Sequence, residues 1–376
     1  MTGRTFDQTS VDVQATPADP VAPELFDFEA YADYEASLQE RCRDFWQAES
    51  GVLVHRRMRI AEVFSYGCRD MKASLQWQLG GLKKSMDFKA DVPNFLDPWY
   101  GIGPVASAFG IDYIWKEKQA PAVRPAFESV KEAMDCATVP VSQSSIGSHA
   151  IDMIDYFIDK TCGCVPMSLT DTQSPLNIAG NVVEMSSFFM EMFDDPDAVK
   201  AFLMRLAELL AEFTREQIER IGDSVAWPGH GYASCRSFEG LGMSDDNALM
   251  ISGDQYLEFA SPAVEFLAES FKGSAFHCCG NWSGKVETVK KIRGLRMVDG
   301  AFSAATDPTP NPLEPFAEAF ANTGIVVNAR IVGDCQTVTE IVEKLWRPGM
   351  KLIVVTFCQT PEEQAQTYER VHEICR

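Results

Sequence analysis

The spacing of apolar and polar positions along the chain predicts a regular alternation of strands and helices. From about residue 165 onward, short apolar runs are followed by longer stretches in which apolar residues recur every three or four positions. The run from Leu352 to Phe357 is typical of a buried strand, and residues 198–221 carry the apolar stripe of an amphipathic helix. Repeated strand–helix units imply parallel strands, and their number predicts an α/β fold, a single (β/α)8 TIM barrel.

Both kinds of element can be placed along the chain. Strands are predicted at residues 52–54, 91–96, 165–171, 223–227, 274–279, 297–299, 325–328 and 352–357. Helices are predicted at residues 26–49, 62–86, 149–161, 185–192, 198–221, 252–271, 284–292, 312–322, 337–345 and 361–375.

The amino-terminal region lacks the alternation. Residues 1–24 are rich in Thr, Asp, Pro and Ala without periodicity, which predicts a flexible arm. The helical spacing at residues 26–49 predicts a helical extension in front of the first strand. The barrel domain is therefore predicted to span residues 25–376.

Charge and cysteine content narrow the range of functions. A net charge of −21 and a pI near 4.6 argue against binding to nucleic acid or to an anionic membrane surface, because either would repel the protein. No apolar run is long enough to span a bilayer. The eleven Cys are an odd number, and the N-terminus has no export signal, so we expect a cytoplasmic protein with reduced thiols.

The strand at residues 274–279 carries the clearest candidate chemistry. Because alternate side chains share one face of a strand, His277 and Cys279 point together while Phe276 and Cys278 point the other way. An imidazole and a thiolate are ligands that zinc prefers. The structural alternative is a hydrogen-bonded core histidine beside a cysteine that packs as a small hydrophobic residue.

A third ligand is expected from the end of another strand. In a (β/α)8 barrel the functional groups lie at the carboxyl ends of the strands, and Cys358 follows the last predicted strand. Cys335, which also follows a strand, competes with Cys358 for this place. One His and two Cys would leave an open tetrahedral position, which distinguishes a catalytic zinc from a structural one.

Three stretches of the sequence together carry a family resemblance. They are Asp245-Asp246 with Ser252-Gly253-Asp254-Gln255-Tyr256-Leu257-Glu258-Phe259 and Pro262, then His277-Cys278-Cys279-Gly280-Asn281, and Cys358-Gln359-Thr360-Pro361-Glu362-Glu363. By the order and spacing of these residues, more than by any single match, the chain from about Phe26 onward resembles the uroporphyrinogen decarboxylase superfamily, and within it the zinc-dependent corrinoid methyltransferases.

The resemblance implies methyl transfer between a small substrate and cobalamin, with zinc as Lewis acid. It assigns the zinc to His277, Cys279 and Cys358. Some members add a Glu as fourth ligand, but residues 301–306 contain no carboxylate, which leaves Asp299, Asp307 or water. The resemblance implies a methoxylated aromatic, a methylamine or a thiol as the substrate. It is compatible with methyl transfer from the substrate to cobalamin and with transfer from methylcobalamin to the substrate. The Asp-x-His-x-x-Gly pattern of a cobalamin domain is absent, so the cobalamin is expected on a separate corrinoid protein. A homodimer is also compatible with the resemblance.

Further functional groups are expected at other strand ends. The predicted catalytic residues are Asp246, His230 and Asn177, and the predicted binding residues are Tyr100, Trp227 and Asn328. Asp246 has an alternative role as a turn or cap residue, and His230 as an ordinary loop histidine. The aromatic residues Tyr100 and Trp227 would suit a methoxylated aromatic or a quaternary amine.

Two other functions remain open. Decarboxylases of the superfamily grip the acidic groups of a porphyrinogen with an Arg-rich segment near the N-terminus. Residues 55–59, His-Arg-Arg-Met-Arg, are the candidate here, and they do not have that family's pattern. The second alternative is a zinc-free, non-catalytic barrel that binds a tetrapyrrole or a partner protein.

Overall fold

A parallel sheet forms the centre of the computed structural model, which describes residues 14–117 and 119–376. Its six strands are β1 (Gly51–Arg56), β2 (Leu241–Ser244), β3 (Ser274–His277), β4 (Leu295–Ala301), β5 (Val326–Ile331) and β6 (Lys351–Thr356). They are hydrogen-bonded in the order β1-β6-β5-β4-β3-β2, and every neighbouring pair is parallel. The predicted α/β fold with parallel strands is confirmed.

Helices connect the strands and cover the sheet. They are α1 (Phe28–Gln47), α2 (Met71–Ser85), α3 (Pro104–Ser107), α4 (Val130–Asp135), α5 (Ser145–Thr161), α6 (Pro175–Val182), α7 (Met185–Asp194), α8 (Pro196–Ile221), α9 (Gly253–Gln255), α10 (Ser261–Ser270), α11 (Val286–Val289), α12 (Leu313–Phe320), α13 (Cys335–Leu345) and α14 (Pro361–Ile374). Short 3-10 helices lie at Pro23–Leu25, Tyr66–Arg69, Val141–Gln143, Gly222–Ser224, Asp246–Met250 and Ser283–Lys285, and a π-helix at Tyr256–Ala260. Among the described residues, no helix has the length and apolarity needed to cross a membrane.

The longest helix, α8, shows why these segments are helical. The Asp195 side chain caps it by accepting from the Ala198 amide, and Pro196 occupies the first turn, where no N–H is required. In its apolar stripe Leu203 and Leu206 are fully buried in the hydrophobic core. The helix therefore begins two residues before the predicted position and ends where the sequence predicts.

The register of the sheet sets which side chains meet inside it. Leu53 pairs with Ile353, Ile353 with Asn328, Asn328 with Asp299, and Asp299 with His277. Because alternate residues share a face, these five side chains form one row that faces the interior. The row becomes polar toward β3, which places buried charged groups next to the candidate site.

Between the edge strands β1 and β2, short extended segments continue the wall of the sheet. Isolated parallel bridges join Leu96 to Met167, Met167 to Val225 and Gln173 to Ser244, and the Asp91 amide donates to the Val54 carbonyl. These contacts link the two edges without forming regular strands.

The prediction of regular strands at residues 91–96, 165–171 and 223–227 was therefore wrong. Pro93 and Pro166 lie in the first two segments, and a proline has no N–H to donate to a ladder. Such segments form single bridges where a continuous strand would need consecutive donors. The sequence prediction also missed β2, which is only four residues long.

The predicted helix at residues 62–86 is divided into a 3-10 helix and α2. Gly80 lies inside α2, and a Cβ placed there would come within 1.9 Å of the Asp19 carbonyl oxygen. The glycine therefore allows the amino-terminal segment to cross the helix in close contact.

Part of the predicted flexible arm can be placed. Residues 14–24 lie against the domain: Thr16 is buried, its amide donates to the Arg59 carbonyl, and its hydroxyl accepts from Arg56. Residues 1–13 lie outside the described residues. The boundary between the amino-terminal arm and the barrel domain at residue 24 therefore stays a prediction.

Candidate metal centre

The candidate centre lies at the carboxyl end of β3, where His277 and Cys279 share the interior face. Cys278 points outward into the hydrophobic core, as the alternation predicts. His277 Nε2 is 3.3 Å from Cys279 Sγ, and potential ligand atoms of Asp246, His277 and Cys279 all lie within 4.8 Å of one another. Within the described part of the chain, no other His, Cys, Asp or Glu group of three meets this spacing.

Asp299 on the adjacent strand β4 holds the other ring nitrogen of His277. Its Oδ2 atom is 2.6 Å from His277 Nδ1, so the ring orientation is fixed and Nε2 is directed toward Cys279. Asn328 donates to Asp299 Oδ1 at 2.6 Å, and Arg330 Nε lies 2.9 and 3.1 Å from the two carboxylate oxygens. The fully buried carboxylate is thus surrounded by three donors.

These contacts shift the pKa values of Asp299 and His277. Burial alone would raise the pKa of Asp299, but Arg330 and His277 outweigh it and lower the pKa to about 2. Burial also acts to lower the pKa of His277, but Cys279 and the Asp299 carboxylate raise it well above the usual value. The carboxylate that stabilises a proton on His277 would also stabilise a metal cation bound at Nε2.

Two hydrogen bonds from backbone amides bring Asp246 to this point. The Asp245 amide donates to the His277 carbonyl at 2.7 Å, and the Cys279 amide donates to Asp246 Oδ1 at 2.6 Å. Asp245 is itself buried, which raises its pKa to about 7, and the Tyr256 hydroxyl donates to its Oδ2 at 2.7 Å. The turn after β2 is therefore anchored from both sides.

The three side chains fit a catalytic zinc in their chemistry. An imidazole nitrogen, a thiolate and a carboxylate are ligand types that zinc binds, and three protein ligands leave a fourth position for substrate. The carboxylate on His277 Nδ1 is the outer-shell partner that commonly accompanies a metal-bound histidine. Cys279 is exposed, so the site is open to a ligand from solution.

Cys358 lies outside this group. At the end of β6, Val355 and the following Phe357 lie on the interior side, so Cys358 falls on the outward side. It is buried, with its sulfur 3.6 Å from Thr367 Oγ1 on α14. Cys335, the competing candidate, begins α13. The structure thus places the predicted third thiol outside the group at β3, in which Asp246 supplies the third potential ligand atom.

His230 forms a separate polar group. Its Nδ1 is 2.5 Å from Asp97 Oδ2, and its Nε2 is 3.5 Å from Asp171 Oδ2, which also accepts from the Trp99 indole at 3.0 Å. Burial would lower the pKa of His230, but the charges of Asp97 and Asp171 outweigh it and raise the pKa. His230 is thus more than an ordinary loop histidine, although no ligand atom of it belongs to the cluster at β3.

Asn177 connects this group with the candidate centre. Its side-chain nitrogen donates to Gln173 Oε1 at 3.0 Å, and Gln173 in turn donates to Asp171 at 2.8 Å. Its oxygen accepts from the amide of Asn247, the residue after Asp246, at 2.9 Å. The polar atoms of Asn177 are therefore bonded within the protein, and they link the two clusters.

The predicted binding residues are dispersed. Tyr100 stacks on His149 with ring centroids 3.9 Å apart. Trp227 pairs through its backbone with Cys235 and packs against the core. Asn328 is fully buried between Asp299 and the Ala233 amide. Of the three, only Asn328 supports the candidate centre, and it does so through Asp299.

Sequence reasoning missed the central role of Asp299, which it considered only as a fourth ligand, and it missed Arg330 entirely. Both follow from strand alternation once the register is known, because Asp299 is level with His277 and Arg330 lies two residues beyond Asn328. The register between distant strands was not available from the sequence. Asp97, which contacts His230, was missed for the same reason.

Comparison with known proteins identifies the family. Residues 99–300, more than half of the chain, match the family model for uroporphyrinogen decarboxylase (URO-D). The matched region includes Asp246, His277, Cys279 and Asp299 and ends before Cys358. The chain belongs to the uroporphyrinogen decarboxylase family.

A solved structure supports the fold. A methyltransferase from Methanosarcina mazei is similar with a TM-score of 0.61 and 13% sequence identity, over 89% of this chain and 98% of that chain. At this identity the similarity concerns the fold. No curated protein matches the sequence.

Proposed function

We propose that this protein is a zinc-dependent methyltransferase that moves a methyl group between a small substrate and the cobalamin of a separate corrinoid protein. The observation that carries the proposal is the convergence of Asp246, His277 and Cys279 ligand atoms within 4.8 Å. Family membership and the fold shared with a methyltransferase are consistent with it.

The protein side chains have distinct tasks in this proposal. Asp246, His277 and Cys279 hold the metal, and Asp299 keeps the Nδ1 proton of His277 so that Nε2 is free to bind. The bound zinc supplies a Lewis acid for the substrate atom that carries or receives the methyl group. The exposed Cys279 side of the site lets the substrate and a corrinoid partner approach.

The test combines metal content with methyl transfer. The wild-type protein and the H277A, C279S and D246N variants are analysed for zinc, then mixed with reduced cobalamin and methoxylated aromatics or methylamines, or with methylcobalamin and thiols. We expect about one zinc per wild-type chain, with a change in the cobalamin spectrum, and loss of both in the three variants. C358S is the matched thiol control, and it is expected to keep its zinc.

Three outcomes would contradict the proposal or the ligand set on which it rests. A wild-type protein without zinc that decarboxylates uroporphyrinogen would assign it to the decarboxylases. Methyl transfer that persists in H277A and C279S would show that the reaction does not require the metal. If C358S loses its zinc while D246N keeps it, the third zinc ligand is Cys358 and not Asp246.

A further inference from the structure

Two thiols share one tight turn at the end of α5. Cys162 and Cys164 are separated only by Gly163. The Cys164 amide donates to the Thr161 carbonyl at 3.0 Å, which closes the turn. The φ angles of Cys162 and Gly163 are 51° and 63°, so both central residues are left-handed, as in a type I′ turn. A single left-handed residue keeps the Cα atoms on either side of it roughly 5.5 Å apart, within the range of about 4.4–6.8 Å that a disulfide spans.

Both thiols are accessible from solution. All eleven cysteines lie in the described part of the chain, and three of them, Cys162, Cys164 and Cys279, are exposed. Cys279 belongs to the candidate metal centre, at the carboxyl end of β3. Cys164 instead precedes the extended segment 165–170, whose carboxyl end leads to Asp171. The two neighbouring cysteines therefore lie at the opposite, amino-terminal end of the parallel segments, away from the metal centre.

The backbone conformation of Cys162 is unusual for its residue type. Cys162 is the left-handed C-cap of α5, and its amide donates to the Ile158 carbonyl. Glycine is the usual residue at such a cap, because a Cβ is disfavoured in the left-handed region. In this turn the glycine follows one position later. Ending the helix therefore does not account for a cysteine at this position, whereas a link to Cys164 would use its thiol.

Hydrogen bonds to its carbonyl groups hold the turn in place. The Ser224 hydroxyl donates to the Gly163 carbonyl at 2.5 Å. Arg236 Nη2 donates to the Cys164 carbonyl at 3.0 Å. The Cys164 sulfur points back along the turn and lies 3.6 Å from the Cys162 carbonyl oxygen. Because the backbone is already fixed with both cysteines on one turn, little chain entropy is lost when their side chains are joined.

We propose that Cys162 and Cys164 are a reversible oxidation site, at which an intramolecular disulfide forms by exchange with a low-molecular-weight disulfide such as oxidised glutathione. The thiolate of one cysteine attacks a sulfur of the reagent, whose S–S bond breaks and releases one thiol. The thiolate of the second cysteine then attacks the mixed disulfide on the protein and releases the other thiol. The protein loses two protons and two electrons, and the reagent takes up both as it becomes two thiols.

Such a disulfide would be readily reversed. It would close an exposed ring with one residue between the cysteines, and strained or exposed disulfides are the labile ones. A reducing compartment, as expected from the cysteine content, would return it to two thiols. The inference concerns a site outside the metal centre and does not rest on the proposed methyl transfer.

Equilibration of the full-length protein with mixtures of reduced and oxidised glutathione tests this inference. Free thiols are then blocked by alkylation, and mass spectrometry of the fragment that contains residues 162–164 shows their state. We expect this fragment to lose two hydrogen atoms in the wild type and to regain them in excess reduced glutathione. In C164S the second step is impossible, so Cys162 should keep a bound glutathione. C136S, which removes a half-buried thiol elsewhere, is the matched control and should behave like the wild type.

Either of two results overturns the inference. The first is a wild-type fragment that keeps glutathione bound to one or both cysteines, because the thiols would then be accessible but unable to join. The second is a pair of thiols that stays reduced in oxidised glutathione alone while circular dichroism shows a folded protein. Zinc binding and methyl transfer are not measured in this experiment, so its outcome is independent of the proposed function.

Discussion

Asp299 connects more of the candidate centre than any other single residue. It holds His277 Nδ1, accepts from Asn328 and pairs with Arg330, and it is fully buried. Its negative charge therefore compensates one buried cation directly and favours a second at the position of a metal on His277. Removing the charge while keeping the shape of the side chain should affect metal binding more than folding.

We expect the D299N variant to bind zinc about 10- to 100-fold more weakly than the wild type, which is typical for loss of an outer-shell carboxylate. Competition with a chromophoric chelator measures this change. The control is D254N, which removes an exposed carboxylate that lies outside the metal cluster. Equal zinc affinities for D299N and the wild type would show that Asp299 does not support the metal.

At the scale of elements, strand alternation accounts both for what the sequence predicted correctly and for what it did not. The rule placed His277 and Cys279 on one interior face, and the structure agrees. Applied to β6, the same rule assigns Phe357 to the interior and Cys358 to the exterior, but the sequence prediction relied on the strand end alone. Asp246 was predicted as a catalytic residue, but its place beside His277 and Cys279 was not, because that place depends on hydrogen bonds between segments far apart in sequence.

The helical segment after β2 anchors the turn that carries Asp246, and this role can be tested. We expect Y256F to weaken zinc binding and to lower the free energy of unfolding by roughly 1–3 kcal/mol, because it removes the hydroxyl bonded to the buried Asp245. Zinc competition and urea unfolding measure the two effects.

S252A provides the matched control in the same segment. It removes the capping box formed with Gln255 and should cost about 0.5–2 kcal/mol of stability. Because Ser252 does not contact Asp245, zinc affinity should be unchanged. If Y256F loses stability but binds zinc like the wild type, the anchor has only a structural role.

At the scale of the whole molecule, the alternation of strands and helices was sufficient to predict the α/β fold, and the family match agrees with it. The number of regular strands was not predictable from apolar runs alone, because prolines at residues 93 and 166 interrupt two of them. The charge of the whole chain is −21, yet Arg330 and Arg57 lie at the sheet end that holds the candidate site. Overall charge therefore says little about which ligands the site binds.

X-ray absorption at the zinc edge of the metal-loaded protein tests the central claim most directly, because it counts the sulfur atoms around the metal. The account predicts one sulfur, from Cys279, at about 2.3 Å, with nitrogen and oxygen atoms in the remaining positions. The spectrum of C358S should be identical to that of the wild type. Two sulfurs in the wild type and one in C358S would contradict the ligand set of Asp246, His277 and Cys279.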